Sequence, residues 1–124
     1  MDAPIADLWS WVPDSDPNLA VIPDGRLAVI DCDAPKATEA VRSRLQDIGL
    51  CLPEVVTASG NRHFYLSVEG LPDHLRWKHL RKDIGPGEFR ARGCYAVAPC
   101  SVVDSNPYHF IFGSPQTIRG LSPV

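Results

Sequence analysis

Twelve prolines and nine glycines punctuate a chain of 124 residues, and this punctuation limits the fold more than any other feature of the sequence. Proline breaks helix interiors, and glycine supplies the positive φ that tight turns require. The chain must therefore be built from several short elements joined by turns, which argues against a long helical bundle. Its length suits one domain with a single core. A hydrophobic share of 44% with 22% charged residues is that of a globular protein and argues against disorder.

No window approaches the roughly 20 consecutive apolar residues of a membrane-spanning helix. The amino-terminal MDAPIADLWSW has no basic segment ahead of an apolar run. The chain reads as soluble and cytoplasmic, with no membrane partner. Cys32, Cys51, Cys94 and Cys100 form no Cys-x-x-Cys pair, and all but Cys100 lie in apolar stretches where a thiol packs as a small hydrophobe. Reduced thiols are expected, with neither zinc nor disulfides. The formal net charge of −3 argues against tight, sequence-independent DNA binding by charge alone. Cations are nevertheless concentrated between residues 72 and 92, which allows a local basic surface beside an acidic site.

Residues 1–17 read as an irregular lead-in anchored by Trp9 and Trp11, and residues 18–124 as the folded domain. LAVI at 19–22 and LAVID at 27–31 flank Pro23-Asp24-Gly25-Arg26, a pattern that predicts a β-hairpin ending in Asp31. Pro35 opens a helix over Lys36 to Leu50, with Ala37, Ala40, Val41, Leu45 and either Ile48 or Leu50 at helical spacing and Gly49 near its end. EVVTASG followed by HFYLSV predicts a second hairpin carrying His63. The spacing of Leu75, Trp77, His79 and Leu80 suggests a second helix over His74 to Lys82. EFRARGCYAVAPCSVV and PYHFIFG read as two or three further strands.

The residues that can carry chemistry fall in three segments. Asp31 and Asp33 lie two apart at the end of an apolar strand, so both point to one face, where a divalent cation is the natural compensation for like charge. An Asp-rich turn capping the next helix is the simpler explanation of that pair alone. In Ser59-Gly60-Asn61-Arg62-His63, Gly60 lets a ligand approach the backbone and Ser59 and Asn61 offer hydrogen bonds, while Arg62 and His63 can hold phosphate oxygens. A polar hairpin turn is again the plain alternative. Glu88 and Arg90 share one side of a short strand with Phe89 on the other, which by itself is an ordinary surface pair.

In this order the three segments resemble the bifunctional DNA primase/polymerase (prim-pol) domain of the archaeo-eukaryotic primase superfamily, found in phages, plasmids and mobile elements. The resemblance runs from about Asn18 to Tyr108. It rests on Asp31-x-Asp33, on Ser59 to His63, and on Glu88 leading to Pro99-Cys100-Ser101, with Glu88 where the family commonly has Asp. It implies an α+β fold with a small RRM-like antiparallel sheet as palm and covering helices. It implies a nucleotidyltransferase that makes primers or extends DNA on a single-stranded template. Asp31, Asp33 and Glu88 would be the catalytic carboxylates and ligands of Mg²⁺ or Mn²⁺. Ser59, Asn61, Arg62, His63 and Arg90 would contact the nucleotide, and Tyr95 would sit against the sugar or fill the core. The implied partners are nucleoside triphosphates, single-stranded DNA and a replicative helicase on the same or a separate chain. Two other readings stay open: a non-catalytic prim-pol-like module that binds nucleic acid or a replication partner, and a metal-dependent nuclease.

Overall fold

The computed structural model describes residues 20–21, 27–68, 77–91, 96–97, 102–103, 105–119 and 121. The lead-in, Tyr95, Cys94, Cys100 and Ser101 lie outside the described residues. The fold is mixed α+β around a six-stranded antiparallel sheet, with strands β2 (Leu27–Cys32), β3 (Glu54–Val56), β4 (Arg62–Ser67), β5 (Trp77–His79), β6 (Gly87–Arg90) and β10 (His109–Phe112). Their spatial order is β10-β3-β4-β2-β6-β5. Short pairs join β1 (Ala20–Val21) to β7 (Ala96–Val97), and β8 (Val102–Val103) to β9 (Asn106–Pro107).

β2 is central because its apolar run can be buried on both sides. Its even positions belong to one core and its odd positions to another. Cys32 packs with Phe64, Leu52 and Ile84 beneath the helix α1 (Pro35–Asp47), which contributes Ala37 and Val41. Val29 packs on the other face with Val55, Tyr65 and Ile118, the last from the short helix α2 (Pro115–Arg119). Fully burying one such Val or Phe side chain is worth about 1.5–3 kcal/mol.

Of the expected hairpin between 19–22 and 27–31, residues 19 and 22–26 lie outside the described residues, and the described strands do not pair with each other. β2 already has β4 on one edge and β6 on the other, so Ala20–Val21 pairs with Ala96–Val97 instead. The helix expected over His74–Lys82 is also corrected. Residues 77–79 are strand β5, antiparallel to β6, and residues 74–76 lie outside the described set. Without β5 the outer edge of β6 would have no ladder partner, and that non-local demand outweighs the local spacing.

The helix near Pro35 and the hairpin carrying His63 form as expected, β3 and β4 pairing in register Glu54↔Phe64 and Val55↔His63. Pro35 occupies the first turn of α1, where its missing N–H costs nothing. At the other end the Leu50 N–H donates to Leu45 O and the Gly49 N–H to Gln46 O, with Gly49 at φ +70°. This is a Schellman stop that needs a left-handed residue. It turns Leu50 inward onto the core while Ile48 stays exposed, which decides between the two candidates for the last apolar position.

Cys51 follows this stop and is exposed, contrary to the expectation that it packs as a core hydrophobe; the loop after the Schellman turn carries it outward. Cys32 is fully buried, and burial, only partly offset by a Thr38 hydrogen bond, pushes its thiol up to about 12. Because the thiolate is the nucleophile, iodoacetamide at pH 8 is expected to label Cys51 and spare Cys32 in the native chain, and to label both after denaturation. Peptide mass spectrometry reads the result. Equal native labelling of Cys32 would contradict its place in β2.

Candidate active site

Residues directly opposed in an antiparallel ladder share a face, with Cα atoms about 4.5–5.5 Å apart. The sheet register therefore builds one continuous row across all six strands: His79, Glu88, Asp31, His63, Val55 and Phe110. A neighbouring row on the same face runs Trp77, Arg90, Val29, Tyr65. Asp31 stands at the centre, with Glu88 on one side and His63 on the other.

Asp31 and His63 are buried among the polar residues. His63 Nε2 lies 3.3 Å from Asp31 Oδ1, and Arg90 Nη2 lies 3.1 Å from Oδ2. Burial opposes ionisation of Asp31. The hydrogen bond to His63 and the positive charge of His63 and Arg90 outweigh it and hold the carboxyl below its usual range. Asp33 shifts the other way: burial raises its carboxyl, and the negative charges of Asp31 and Glu88 add to the rise. Glu88 also faces Arg90, at a looser 3.9 Å.

The backbone at the end of β2 is held from both sides. The Asp33 N–H donates to Pro86 O at 3.0 Å, and the Asn61 side-chain amide donates to Asp33 O at 3.1 Å. Asn61 also reaches Ser59 Oγ, which pairs with Thr57 Oγ1. The polar turn of the second hairpin is thus tied to the Asp-x-Asp segment. The N-cap of α1 is Ala34, with no side-chain cap, so Asp31 and Asp33 are not accounted for by capping.

Arg62 is not brought to this face. It follows the period of a strand to the side opposite His63, where Arg62 Nε meets Glu54 Oε2 at 3.1 Å and its Nη1 meets the carbonyls of Gly60 and Asn61. Arg42 grips the same buried Glu54 through Nε and Nη2. Among the described residues no three His, Cys, Asp or Glu side chains stand together in ligating geometry. A cleft lined by Leu45, Leu50, Cys51, Leu52, Phe64 and Phe112 opens on the helix-covered side, away from the Asp31 row.

Three residues on or beside the row escape a reading of the sequence by segments. His79 and Trp77 sit on β5, and their spacing of two was the available signal once the segment is read as a strand. Tyr108 lies outside the three motifs, yet its ring centroid is 6.0 Å from that of His63. Burial and the charge of Asp31 raise its hydroxyl, and the Ala58 backbone lowers it.

The chain is thus a mixed α+β domain whose six-stranded antiparallel sheet carries, on one face, Asp31 held between a histidine and an arginine, with Glu88 beside it. The family model described as Prim-Pol, bifunctional DNA primase/polymerase, N-terminal, matches residues 2–123, and the chain belongs to that family. The match extends beyond the motif-bearing stretch on both sides. At family level it implies primase/polymerase activity, nucleotide and DNA binding, and use of divalent metals. No curated protein and no solved structure matches the chain. Among the described residues, no helix is long and apolar enough to cross a membrane.

Proposed function

We propose that this chain is a metal-dependent nucleotidyltransferase that synthesises or extends primers on a single-stranded DNA template. The observation that carries the reading is the cross-strand row in which Asp31 lies directly between Glu88 and His63. Nucleotidyl transfer needs carboxylates and phosphate-binding cations side by side, and the shared face of Glu88, Asp31, His63 and Arg90 supports that reading.

The donor chemistry suits a hard divalent cation, which would have to draw Asp31, Asp33 and Glu88 together on binding. Asp31, Asp33 and Glu88 offer only oxygen ligands, as Mg²⁺ and Mn²⁺ prefer. Burial raises Asp33 most, and the repulsion from Asp31 and Glu88 that adds to it is the kind a cation relieves. Those three residues would hold the metal, whose chemistry when bound is to favour attack of a 3′-hydroxyl on the α-phosphate and to neutralise the leaving pyrophosphate. His63 and Arg90, already beside Asp31, would orient the triphosphate. Ser59 and Asn61 would shape the turn that borders it. Arg62 belongs to this reading as the residue that anchors that turn through Glu54, and Tyr95 keeps its two roles, sugar contact or core. Nucleoside triphosphates and single-stranded DNA are the substrates, and a replicative helicase on the same or a separate chain is the replication partner.

One observation favours the non-catalytic module as a second reading: both Asp31 oxygens are engaged by His63 and Arg90, which compensates its charge without a metal. Labelled nucleotides, Mn²⁺ and single-stranded DNA, with and without a primer, separate the two. Elongated primer or new dinucleotide is the expected product. Binding of nucleotide and Mn²⁺ without any phosphodiester bond on any template would establish the module, and shortening of a labelled strand would establish a nuclease.

A further inference from the structure

We propose that the β5 edge of the sheet carries a nucleobase-stacking platform, Trp77 braced by His79, that holds an unpaired base of single-stranded DNA beside the Asp31 row. Trp77 is 49% exposed, on a strand whose three residues are all exposed. A lone exposed aromatic residue needs no explanation, but this one has three further properties. Its ring meets His79 edge-on, with centroids 4.9 Å apart and planes at 79°, so part of its rotamer freedom is already lost before a ligand arrives. It is opposed to Arg90 in the ladder and therefore shares the face of Asp31, His63 and Glu88. It also lies in the basic part of an acidic chain: residues 77–91 hold four Lys and Arg against two carboxylates, and Lys82 just beyond β5 is exposed, while Lys78 alternates to the opposite face of the strand.

Distance supports the same occupant. β5 lies two strands from β2, which at about 4.8 Å per strand is roughly 10 Å, the span of about three stacked nucleotides. A strand whose reacting end occupies the Asp31 row would pass over Trp77 within a few bases. Stacking on an indole is tolerant of sequence, since every base has a π-face, and nearby cations hold the backbone. The identity of the bound strand as a template rests on the proposed polymerase reading. The stacking itself does not.

The test is anisotropy of a labelled single-stranded oligonucleotide with the full chain in EDTA, using a base-bearing strand and an abasic strand of equal length. The unmutated chain is expected to bind the base-bearing strand about tenfold more tightly. Trp77→Ala should lose about that factor and cease to distinguish the two strands, whereas Trp77→Phe should keep most of the preference. A purely structural role for Trp77 would weaken both strands equally. Should Trp77→Ala fail to fold by circular dichroism, the abasic comparison on the unmutated chain and Trp77→Phe decides. Equal binding of the two strands by the unmutated chain, no binding at all, or unchanged preference in Trp77→Ala overturns the platform. Base-dependent binding without primer extension would remove the polymerase reading alone and leave the platform standing.

Discussion

Glu88→Gln is expected to lower primer extension about a thousandfold while moving the unfolding temperature by no more than about 2 °C. If Glu88 ligates the metal as proposed, removing its charge at the reacting phosphate forfeits several kcal/mol of transition-state stabilisation, and each 1.36 kcal/mol is tenfold in rate. Glu88 is the informative position because little else depends on it: its side chain is partly exposed and its pairing with Arg90 is long, at 3.9 Å. Exposed pairs of this kind contribute about 0–1 kcal/mol to stability. Asp31→Asn should lose activity to a similar degree but also melt earlier, because Asp31 is buried between His63 and Arg90, and removing its charge leaves those partners uncompensated. The register thus alters a simpler expectation, that deleting a carboxylate from a crowded site merely relieves repulsion. His63→Gln is expected to raise the KM for nucleotide more than it lowers kcat, since its proposed role is to hold the triphosphate. Primer extension by Glu88→Gln at the rate of the unmutated chain would show that the row is not the catalytic centre.

Much of the arrangement is legible in local pattern. The run LAVIDC identifies a strand that can be buried on both faces, Pro35 and Gly49 bracket α1, and Ser59-Gly60-Asn61 marks the turn between β3 and β4. The order of the acidic and histidine segments points to the family that the chain-wide match establishes. Arg62 was equally legible, since adjacent strand residues face opposite ways. Grouping it with His63 by function overlooks that geometry, and its partner Glu54 is visible only once β3 and β4 are in register.

What could not be read was the partner of each short apolar segment. Ala20–Val21 looks like half of a hairpin because Pro23 to Arg26 is a good turn, yet pairing is decided by which edges of β2 remain free. Residues far along the chain, in β4 and β6, take both. Trp77-Lys78-His79 has no β-branched residue, and its neighbours Leu75 and Leu80 suggest a helical stripe. It becomes a strand because β6 has an open edge to fill. Both cases are tertiary demand overriding a short local preference, and the second one conceals His79 and Trp77 from the sequence reading.

The side-by-side placement of Asp31 and Glu88 depends on one glycine, and Gly87→Ala is expected to destroy it. Gly87 adopts φ +154° and is opposed to Cys32 in the β2–β6 ladder. A Cβ there would fall inside the radius of the Asp31 carbonyl oxygen and come within 2.8 Å of Leu80 Cδ1. Leu80 can turn away, but the Asp31 carbonyl belongs to a central strand fixed by β4 on its far side. Relief must then come from β6, which withdraws and carries Glu88 with it. The combined backbone strain and lost pairing should cost about 3 kcal/mol or more, lowering the midpoint of a circular-dichroism melt by roughly 10 °C, and primer extension should fall with it even at temperatures where the variant is folded. Gly60→Ala is the matched control. Gly60 also has positive φ, at +89°, but its Cβ would meet nothing within 4 Å, so only the backbone penalty of about 1–2 kcal/mol applies. If Gly87→Ala melts no lower than Gly60→Ala and retains full activity, the β2–β6 register is wrong, and the pairing of Asp31 with Glu88 on which the catalytic reading stands is wrong with it.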